Sequence, residues 1–367
     1  MTNLSDLFPA GAGKQVSFVA SGTLSNGQAV ALKTDGTVAA ISAQVGAESV
    51  FDSNTTYLTA TVYDSNSNKI VVTYGDGCNS FYGTAVVGTV SGTSISFGTA
   101  GVFQSLSTDV ISAVYDSTNG KVVIAYRVAA SSLSGRAIVG TVSGTSISFG
   151  TETVFESGDT TYTSAVYDST NGKVVIAYSD GGNGQYGTAI VGTVSGTSIS
   201  FGTAAVFESA DSNYISAAYD STNNKVVISY QDDANSTFGT AVVGTVSGTS
   251  ISFGTPVVFN AAGTYFVSSS FDDNANKVVS SYRDSGNANY GTSIVGTVSG
   301  TSISFGTSVV FENALTNYIS STFDSNLNKV VIAYSDSGNS NHGTSVVGTV
   351  SGTSISFGNA VTFNAAN

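Results

Sequence analysis

The sequence has 367 residues, of which 42 are glycine, 41% are hydrophobic and 10% are charged. This composition allows a packed core and is typical of a turn-rich, all-β protein. The net charge of −13 and the pI of about 4.1 argue against binding to nucleic acid or to anionic membranes. Cys78 is the single cysteine, which excludes an intrachain disulfide.

The N-terminal arm, residues 1–13, is predicted to be irregular. It has neither the basic start nor the apolar stretch of a signal peptide, and we expect no membrane insertion. A chain rich in Ser, Thr and Gly is nevertheless typical of extracellular proteins. A virus particle component, assembled in the host cytoplasm and released by lysis, would reconcile the two observations.

Residues 14–50 are predicted to form a small β-meander. Asn-Gly and Asp-Gly dipeptides, which favour tight hairpin turns, separate three short strands, at 16–20, 28–32 and 37–41. Such a sheet is too small to be stable alone. We therefore expect it to pack on the rest of the chain or on a partner.

The remainder, residues 51–367, is dominated by one phrase, Val-Gly-Thr-Val-Ser-Gly-Thr-Ser-Ile-Ser-Phe-Gly. The phrase indicates a β-hairpin with Ser-Gly at its turn, and its fixed period of 52 residues indicates a repeat architecture. It occurs six times without a change, beginning at Val87, Val139, Val191, Val243, Val295 and Val347.

Each repeat is predicted to contain four strands, which in the third repeat are 162–167, 173–178, 187–194 and 197–207. The two middle strands are apolar on both faces, whereas the last one alternates, with Ile199 and Phe201 on one side. Sheets stacked face to face require this pattern. Four strands in a repeat of about 40–50 residues are typical of a β-propeller blade.

The predicted fold is therefore an all-β propeller of six four-stranded blades with a small N-terminal β module. Gly46–Phe51 matches Gly98–Phe103 in register. One interpretation is that this segment adds a strand to the last blade and closes the ring. The alternative is that 14–51 forms a degenerate seventh blade.

The two faces of the propeller are expected to differ. The Ser-Gly hairpins are nearly identical in all repeats, whereas the loops after the second strands vary, and binding usually belongs to loops on a rigid scaffold. We assign ligand contact to this variable face. Its candidate residues are acids and aromatic or imidazole rings that would suit a neutral sugar: Asp76, Tyr82, Asp180, Tyr186, Asp232, Phe238, Asp284, Tyr290, Asp336 and His342. The structural alternative is that each Asp caps its loop and each ring seals a blade junction.

A second aspartate in each repeat, such as Asp168, opens a tight turn with a lysine five residues on. The further oxygen ligands of a calcium loop are absent, so Asx-turn chemistry is the interpretation, and no metal or cofactor is predicted. The one histidine, His342, stands where other repeats have Tyr or Phe. Arg127 and Arg283 lie three repeats apart, too far round a six-bladed ring to converge on a carboxylate as sialidase arginines do. We therefore expect no enzymatic activity.

The chain resembles virion proteins of tailed phages, particularly marine ones. The resemblance rests on the opening Leu4–Pro9, on the module Leu24–Val38 and on repeats such as Tyr167–Tyr178 followed by Val191–Phe201. It implies a protein of the particle surface, with residues 1–50 docking to other virion proteins. Host surface polysaccharide is a further expected partner.

Three functions are consistent with these observations. The first is a tail-associated, receptor-binding protein of a phage virion. The second is a capsid decoration protein, which copy number per particle would distinguish from the first. The third is a glycan-binding lectin or a glycan-cleaving enzyme.

Overall fold

The computed structural model describes residues 30–32, 37–40, 46–130 and 133–365. The chain divides into two compact units, 1–46 and 47–367. In the first unit, β1 (Val30–Leu32) and β2 (Val38–Ala40) form an antiparallel pair. These strands lie within two of the three predicted for the meander. The predicted strand 16–20 and the arm 1–13 fall outside the described residues.

The second unit repeats one set of strands, and the described part of it contains six such sets. The first set is β3 (Thr56–Asp64), β4 (Lys69–Asp76), β5 (Tyr82–Ser91) and β6 (Ser94–Phe97). The later strands are β7 (Gly101–Asp116), β8 (Lys121–Val128), β9 (Ser134–Ser143), β10 (Ser146–Phe149), β11 (Thr153–Asp168), β12 (Lys173–Asp180), β13 (Tyr186–Ser195), β14 (Ser198–Phe201), β15 (Ala205–Asp220), β16 (Lys225–Asp232), β17 (Phe238–Ser247), β18 (Ser250–Phe253), β19 (Val257–Asp272), β20 (Lys277–Asp284), β21 (Tyr290–Ser299), β22 (Ser302–Phe305), β23 (Val309–Asp324), β24 (Lys329–Asp336), β25 (His342–Ser351), β26 (Ser354–Phe357) and β27 (Val361–Asn364).

Each set forms a four-stranded antiparallel sheet of the kind found in propeller blades. In the third blade the second half of β11 pairs with β12, and β12 pairs with β13 along its length. The outer edge of β13 pairs first with β14 and then with the first half of β15. The fourth strand is therefore built from two segments, with a break at 202–204.

The crossing between blades, residues 156–161, lies outside the four predicted strands, but in the structure it is part of a continuous strand. This polar stretch lies inside β11, because Glu156 pairs with Gly135 of the preceding blade and Thr160 pairs with Asp180 of the next. Strand β11 thus leaves one blade as its outer strand and enters the next as its inner strand. A bulge between Thr161 and Ser164 bends it.

The core lies between neighbouring blades. Val174, Val175, Ile176 and Ala177 have no exposed surface, as expected for a strand that is apolar on both faces. Val174 and Ile176 pack with residues of the second blade, and Val175 packs with residues of the fourth. The prediction of sheets stacked face to face is confirmed.

The glycine that ends the repeated phrase is required by a close approach of two blades. A Cβ atom placed on Gly150 would lie 1.8 Å from the carbonyl oxygen of Thr197, at the Ser-Gly hairpin of the next blade. Gly98, Gly202, Gly254 and Gly306 are equally confined by the next hairpin. At Gly358, in the last repeat, the nearest atom is 3.8 Å away. The last blade therefore lacks this contact.

The sheet is not closed between the last blade and the first. No ladder of the described strands joins β27 to β3, and the outer edge of β25 pairs with β27. The prediction that Gly46–Phe51 adds a strand to the last blade is wrong, because β27 already occupies that edge and 46–50 lies outside any strand. Val347 is 44% exposed, whereas the equivalent Val191 is fully buried.

None of the described residues belongs to a helix with the length and apolar character needed to cross a membrane.

Candidate functional site

The predicted acids and rings of the variable face meet in pairs. Each aspartate ends a second strand and each aromatic or imidazole ring begins a third strand, so the two stand opposite each other as the last pair of their ladder. This holds for Asp76 with Tyr82, Asp180 with Tyr186, Asp232 with Phe238, Asp284 with Tyr290 and Asp336 with His342. All five of these residues are half-buried, so each keeps part of its surface exposed.

Three of the aspartates also cap the loops that they open. Asp76 accepts a hydrogen bond from the amide of Cys78 at 3.1 Å, and Asp284 accepts one from Gly286 at 2.9 Å. Asp232 accepts one from Asn235 at 3.2 Å. Side-chain oxygens that accept amide protons in this way stabilise the turn. These three aspartates therefore have the loop-capping role that the structural alternative assigns to them.

A polar layer supports the variable face from beneath. The hydroxyl groups of Tyr230 and Tyr334 donate to Glu208 and Glu312, at 3.0 and 2.9 Å. Burial and the neighbouring carboxylate raise the pKa of both tyrosines far above their usual value. Both hydroxyls therefore remain protonated and donating, and they anchor the starts of two crossing strands, β15 and β23, to the blades that follow.

Asp180 lies above this layer in a less favourable environment. Its side chain is 8% exposed, and burial together with the nearby Glu156 raises the pKa of its carboxyl group. Burial also raises the pKa of Asp232. In the fifth repeat the residue equivalent to Glu156 is Asn260, whose amide donates to Asp284 at 3.1 Å. The five predicted acids therefore lie in unlike environments.

The sequence reasoning missed the residue that immediately precedes each third strand, which is one position before the ring in five of the repeats and before Ser134 in the second. Phe81, Leu133, Gln185, Thr237, Asn289 and Asn341 all have positive φ, between 54° and 63°. The carbonyl groups of the first five accept a hydrogen bond from the inner strand of the next blade, as Phe81 does from Thr108 at 2.9 Å. The backbone is thus fixed while the side chain varies among the repeats, with asparagine in the last two. The variation of this position among the repeats was the signal by which the sequence could have identified it.

Phe81 lines a groove between the first two blades. The cavity has a volume of about 330 Å³ and is bordered by Thr55, Tyr57, Phe81, Ser107, Thr108 and Asp109. The rings of Tyr57 and Phe81 meet edge to face with centroids 6.2 Å apart. They are 52% and 43% exposed. The groove therefore combines two accessible aromatic faces with one carboxylate.

Arg127 fixes that carboxylate. Its Nε and Nη2 atoms donate to both oxygens of Asp109, at 2.7 and 2.8 Å, and its Nη1 atom donates to Asp159 at 2.9 Å. The hydrogen bonds to Asp109 raise the pKa of the guanidinium group. Arg127 is thus neutralised by two acids, and it orients Asp109 toward the groove instead of offering a free positive charge.

The turns on the opposite face have the predicted Asx chemistry. Asp168 accepts from the amides of Thr170 and Asn171, at 3.1 and 2.9 Å. The lysine that follows, Lys173, donates to Thr193 at 2.8 Å and so ties the turn to the Ser-Gly hairpin. No group of three or more His, Cys, Asp or Glu side chains in the described ranges could hold a metal ion.

Comparison with known proteins gives a likeness of fold. The sequence matches no family model and no curated protein. Among solved structures, the BP39L lectin from Burkholderia pseudomallei superposes with a TM-score of 0.62 at 9% identity, covering 83% of this chain and 84% of that one. AofleA from Arthrobotrys oligospora gives 0.52 at 11% identity, with 83% and 88% covered. The Hadza microbial sialidase Hz136 gives 0.52 at 10% identity, with 76% and 63% covered.

What these proteins share with the chain is the fold. The superposition extends over most of the repeat unit, which supports the β-propeller arrangement found in the strand pairing.

Proposed function

We propose that this protein is a non-enzymatic carbohydrate-binding protein that recognises neutral sugars on its variable face, in the grooves between neighbouring blades. The observation that carries the proposal is the groove of the first two blades, where Tyr57 and Phe81 expose aromatic surface next to Asp109. The other variable loops would form related grooves of different specificity.

The chemistry of the groove fits a sugar ring. The C–H faces of a pyranose pack on aromatic rings, and its hydroxyl groups donate hydrogen bonds to carboxylates. Asp109 keeps acceptor positions free, because each of its oxygens receives one hydrogen bond from the guanidinium of Arg127. A volume of about 330 Å³ lies at the lower end of the range for small-molecule sites.

The aspartate and ring pairs would form the remainder of the recognition surface. Tyr186 and Tyr290 each begin a third strand next to a variable loop, and each is half-buried. Such rings supply rigid walls that lose little conformational entropy on binding. Lectins among the structures of similar fold are consistent with this proposal, as BP39L illustrates.

The absence of enzymatic activity is part of the proposal. His342 begins a third strand opposite Asp336, in the place that aromatic residues fill in other repeats. Arg127, one of the two arginines considered for carboxylate binding, is bonded to two acids. These arrangements are suited to support of the loops, and we assign no general acid, base or nucleophile to them.

The biological setting proposed for this binding is the surface of a phage particle. The motifs of residues 1–50 and of the repeats resemble phage virion proteins, and a carbohydrate-binding face would suit contact with host surface polysaccharide. The first unit would attach to other virion proteins. In this proposal the repeat unit is a propeller of six blades, with a seventh blade formed by 14–51 as the alternative. A capsid decoration role is the other virion function, and a high copy number per particle would favour it.

The proposal is tested by binding to a panel of immobilised neutral glycans. Phe81→Ala and Tyr57→Ala should each reduce binding to the best glycan at least tenfold, because each removes one aromatic face of the groove. Gln185→Ala alters the equivalent loop position two blades away and should leave binding to that glycan unchanged. Circular dichroism must first show that each variant is folded to the same extent as the wild-type protein.

Two results would contradict the proposal. One is that the folded wild-type protein binds no glycan of the panel. The other is that Phe81→Ala and Gln185→Ala have the same effect, because binding would then not depend on the groove.

A further inference from the structure

Arg283 occupies the same position in the fifth repeat that Arg127 occupies in the second, but its surroundings differ. The two acids that neutralise Arg127 are replaced, since Tyr265 stands at the position of Asp109 and Leu315 at that of Asp159. No carboxylate of the described chain lies within 4.0 Å of Arg283. Of the three arginines, it is therefore the one without an ion pair.

The side chain of Arg283 is nevertheless held in place. Its Nη1 atom donates to the side-chain oxygen of Asn317 at 2.6 Å. The guanidinium carbon lies 4.6 Å from the ring centre of Tyr265 and 4.9 Å from that of Phe266. Its Nε atom is buried without a hydrogen-bond partner. Stacking on two rings orients the group while leaving its positive charge uncompensated.

Phe266 connects Arg283 to a larger aromatic surface. The rings of Tyr162, Tyr214, Phe266 and Tyr318 follow one another at 52-residue intervals, with successive centroids 5.2, 5.3 and 5.2 Å apart. We call these four residues the aromatic collar. They lie at the bulges of successive inner strands, and all four have a φ between 47° and 52°.

The collar surrounds open space. Tyr162, Tyr214 and Phe266 border a cavity of about 260 Å³, and Tyr318 borders one of about 880 Å³. Tyr318 is 76% exposed. Bulky residues in left-handed backbone conformations are strained, and such strain is concentrated at functional sites. The volume and the accessible rings together provide room for a ligand beside Phe266, whose ring also contacts the guanidinium of Arg283.

We propose that Arg283 and the aromatic collar bind a carboxylate-bearing sugar, such as a uronic acid residue of an acidic polysaccharide. The guanidinium would pair with the carboxylate, because Arg presents a planar set of donors that matches this group. The sugar ring would pack on the collar through its C–H face. This site deepens the proposed carbohydrate-binding function and rests on it. It differs from the groove at Phe81, which offers a carboxylate and not a positive charge.

The net charge of −13 sets a requirement on this site. Long-range repulsion disfavours an acidic polysaccharide, so binding must come from local pairing with Arg283. Repulsion between separated charges is screened by salt much more than a close contact is. Binding should therefore persist at 0.15 M ionic strength, which is the condition for the test.

The test measures calorimetric binding of tetragalacturonate and of the same tetrasaccharide with its carboxyl groups reduced. The wild-type protein should bind the acidic form at least tenfold more tightly than the reduced form. Arg283→Gln should abolish this preference, and Arg283→Lys should retain part of it. Tyr318→Ala changes an exposed ring and should weaken binding of both forms. Lys225→Gln, on the opposite face, changes net charge by the same amount as Arg283→Gln and should change neither affinity.

The outcomes separate this inference from the proposed function. Binding of neutral glycans without any binding of tetragalacturonate would overturn the inference and leave the groove proposal standing. Tight binding of tetragalacturonate by a folded Arg283→Gln variant would also overturn it. If the wild-type protein binds neither neutral glycans nor tetragalacturonate, both the groove proposal and this inference are contradicted.

Discussion

Phe51 packs edge-on against Tyr74, with ring centroids 5.2 Å apart and an interplanar angle of 61°. The same contact joins successive blades elsewhere, as Phe155 shows with Tyr178 at 5.2 Å and 60°. The equivalent residue of the last repeat, Phe363, is 41% exposed. The segment before β3 therefore gives the first blade the ring that a preceding blade supplies at the other junctions.

This relationship predicts a graded series of phenylalanine-to-alanine variants. Phe155→Ala, at a buried junction, should cost about 3–5 kcal/mol of unfolding free energy, and Phe363→Ala less than about 1 kcal/mol. Phe51→Ala should fall between them, because Phe51 is half-buried. Urea denaturation followed by fluorescence would measure all three. A larger loss for Phe363→Ala than for Phe51→Ala would mean that the last blade packs on the first.

The repeated glycine provides a matched pair of variants. Gly150→Ala would place a Cβ atom 1.8 Å from a carbonyl oxygen of the next blade, whereas Gly358→Ala meets nothing closer than 3.8 Å. We expect Gly150→Ala to destabilise the protein by about 3 kcal/mol or more, because two backbones must separate, and Gly358→Ala by a few tenths. Thermal denaturation of both variants provides the comparison. Equal losses would show that Gly358 is also confined by a neighbouring hairpin in solution.

The open junction also predicts where the protein unfolds first. Units that contact only neighbours lose part of their stability at the ends of a row. Amides of β4 and β24, next to the open junction, should exchange with solvent faster than those of β12 and β16. Native-state hydrogen exchange with mass spectrometry would resolve these strands. Uniform protection in all four strands would instead support a single cooperative ring.

Asp180 predicts a pH dependence of stability. Burial, followed by the charge of Glu156, raises the pKa of its carboxyl group in the folded protein. The folded state then binds a proton more readily than the unfolded state, so this group's contribution to stability falls as the pH rises through the folded pKa. The change in unfolding free energy caused by Asp180→Asn should therefore be more stabilising at pH 7 than at pH 4.

Asp284→Asn is the control for this variant. Asp284 accepts hydrogen bonds from Asn260 and Gly286, so neutralising it should weaken both and destabilise the protein at pH 7. Denaturant unfolding at the two pH values gives the measurement. A stabilising Asp284→Asn, or an Asp180→Asn effect independent of pH, would contradict the assigned environments.

The regular part of the fold was predictable from the sequence. Runs such as Val174–Ala177 are apolar at every position, which indicates a strand covered on both faces, and period-two alternation around Ile199 identifies an outer strand. The crossing at 156–161 was not predictable, because its polar residues are typical of a loop. Its extended conformation comes from ladders with two different blades, which are tertiary contacts.

The candidate site was predictable to a similar extent. The sequence analysis places Asp180 and Tyr186 in one variable loop between the predicted strands 173–178 and 187–194. Their pairing at the end of a ladder comes from strands that are longer than predicted. The groove at Phe81 and the site at Arg283 depend on contacts between repeats, namely Phe81 with Tyr57 and Arg283 with Tyr265. A comparison of aligned repeats shows that these positions vary but does not show which of them are neighbours.

The last prediction concerns the predicted ring of aromatic residues. Tyr186→Ala together with Tyr290→Ala should weaken binding to host cells or to their surface polysaccharide by about 2–4 kcal/mol, if these residues act as binding hot spots. Both tyrosines begin third strands beside variable loops, whereas Ser195 and Ser299 lie at the Ser-Gly hairpins of the opposite face. Replacing the two serines with alanine should leave binding unchanged. Because both tyrosines are half-buried, the folded fraction of the tyrosine variant must be matched to wild type by circular dichroism before affinities are compared. Equal losses from the two pairs, or full binding by the folded tyrosine variant, would remove these residues from the recognition surface and leave them the structural role of sealing the ends of their blades.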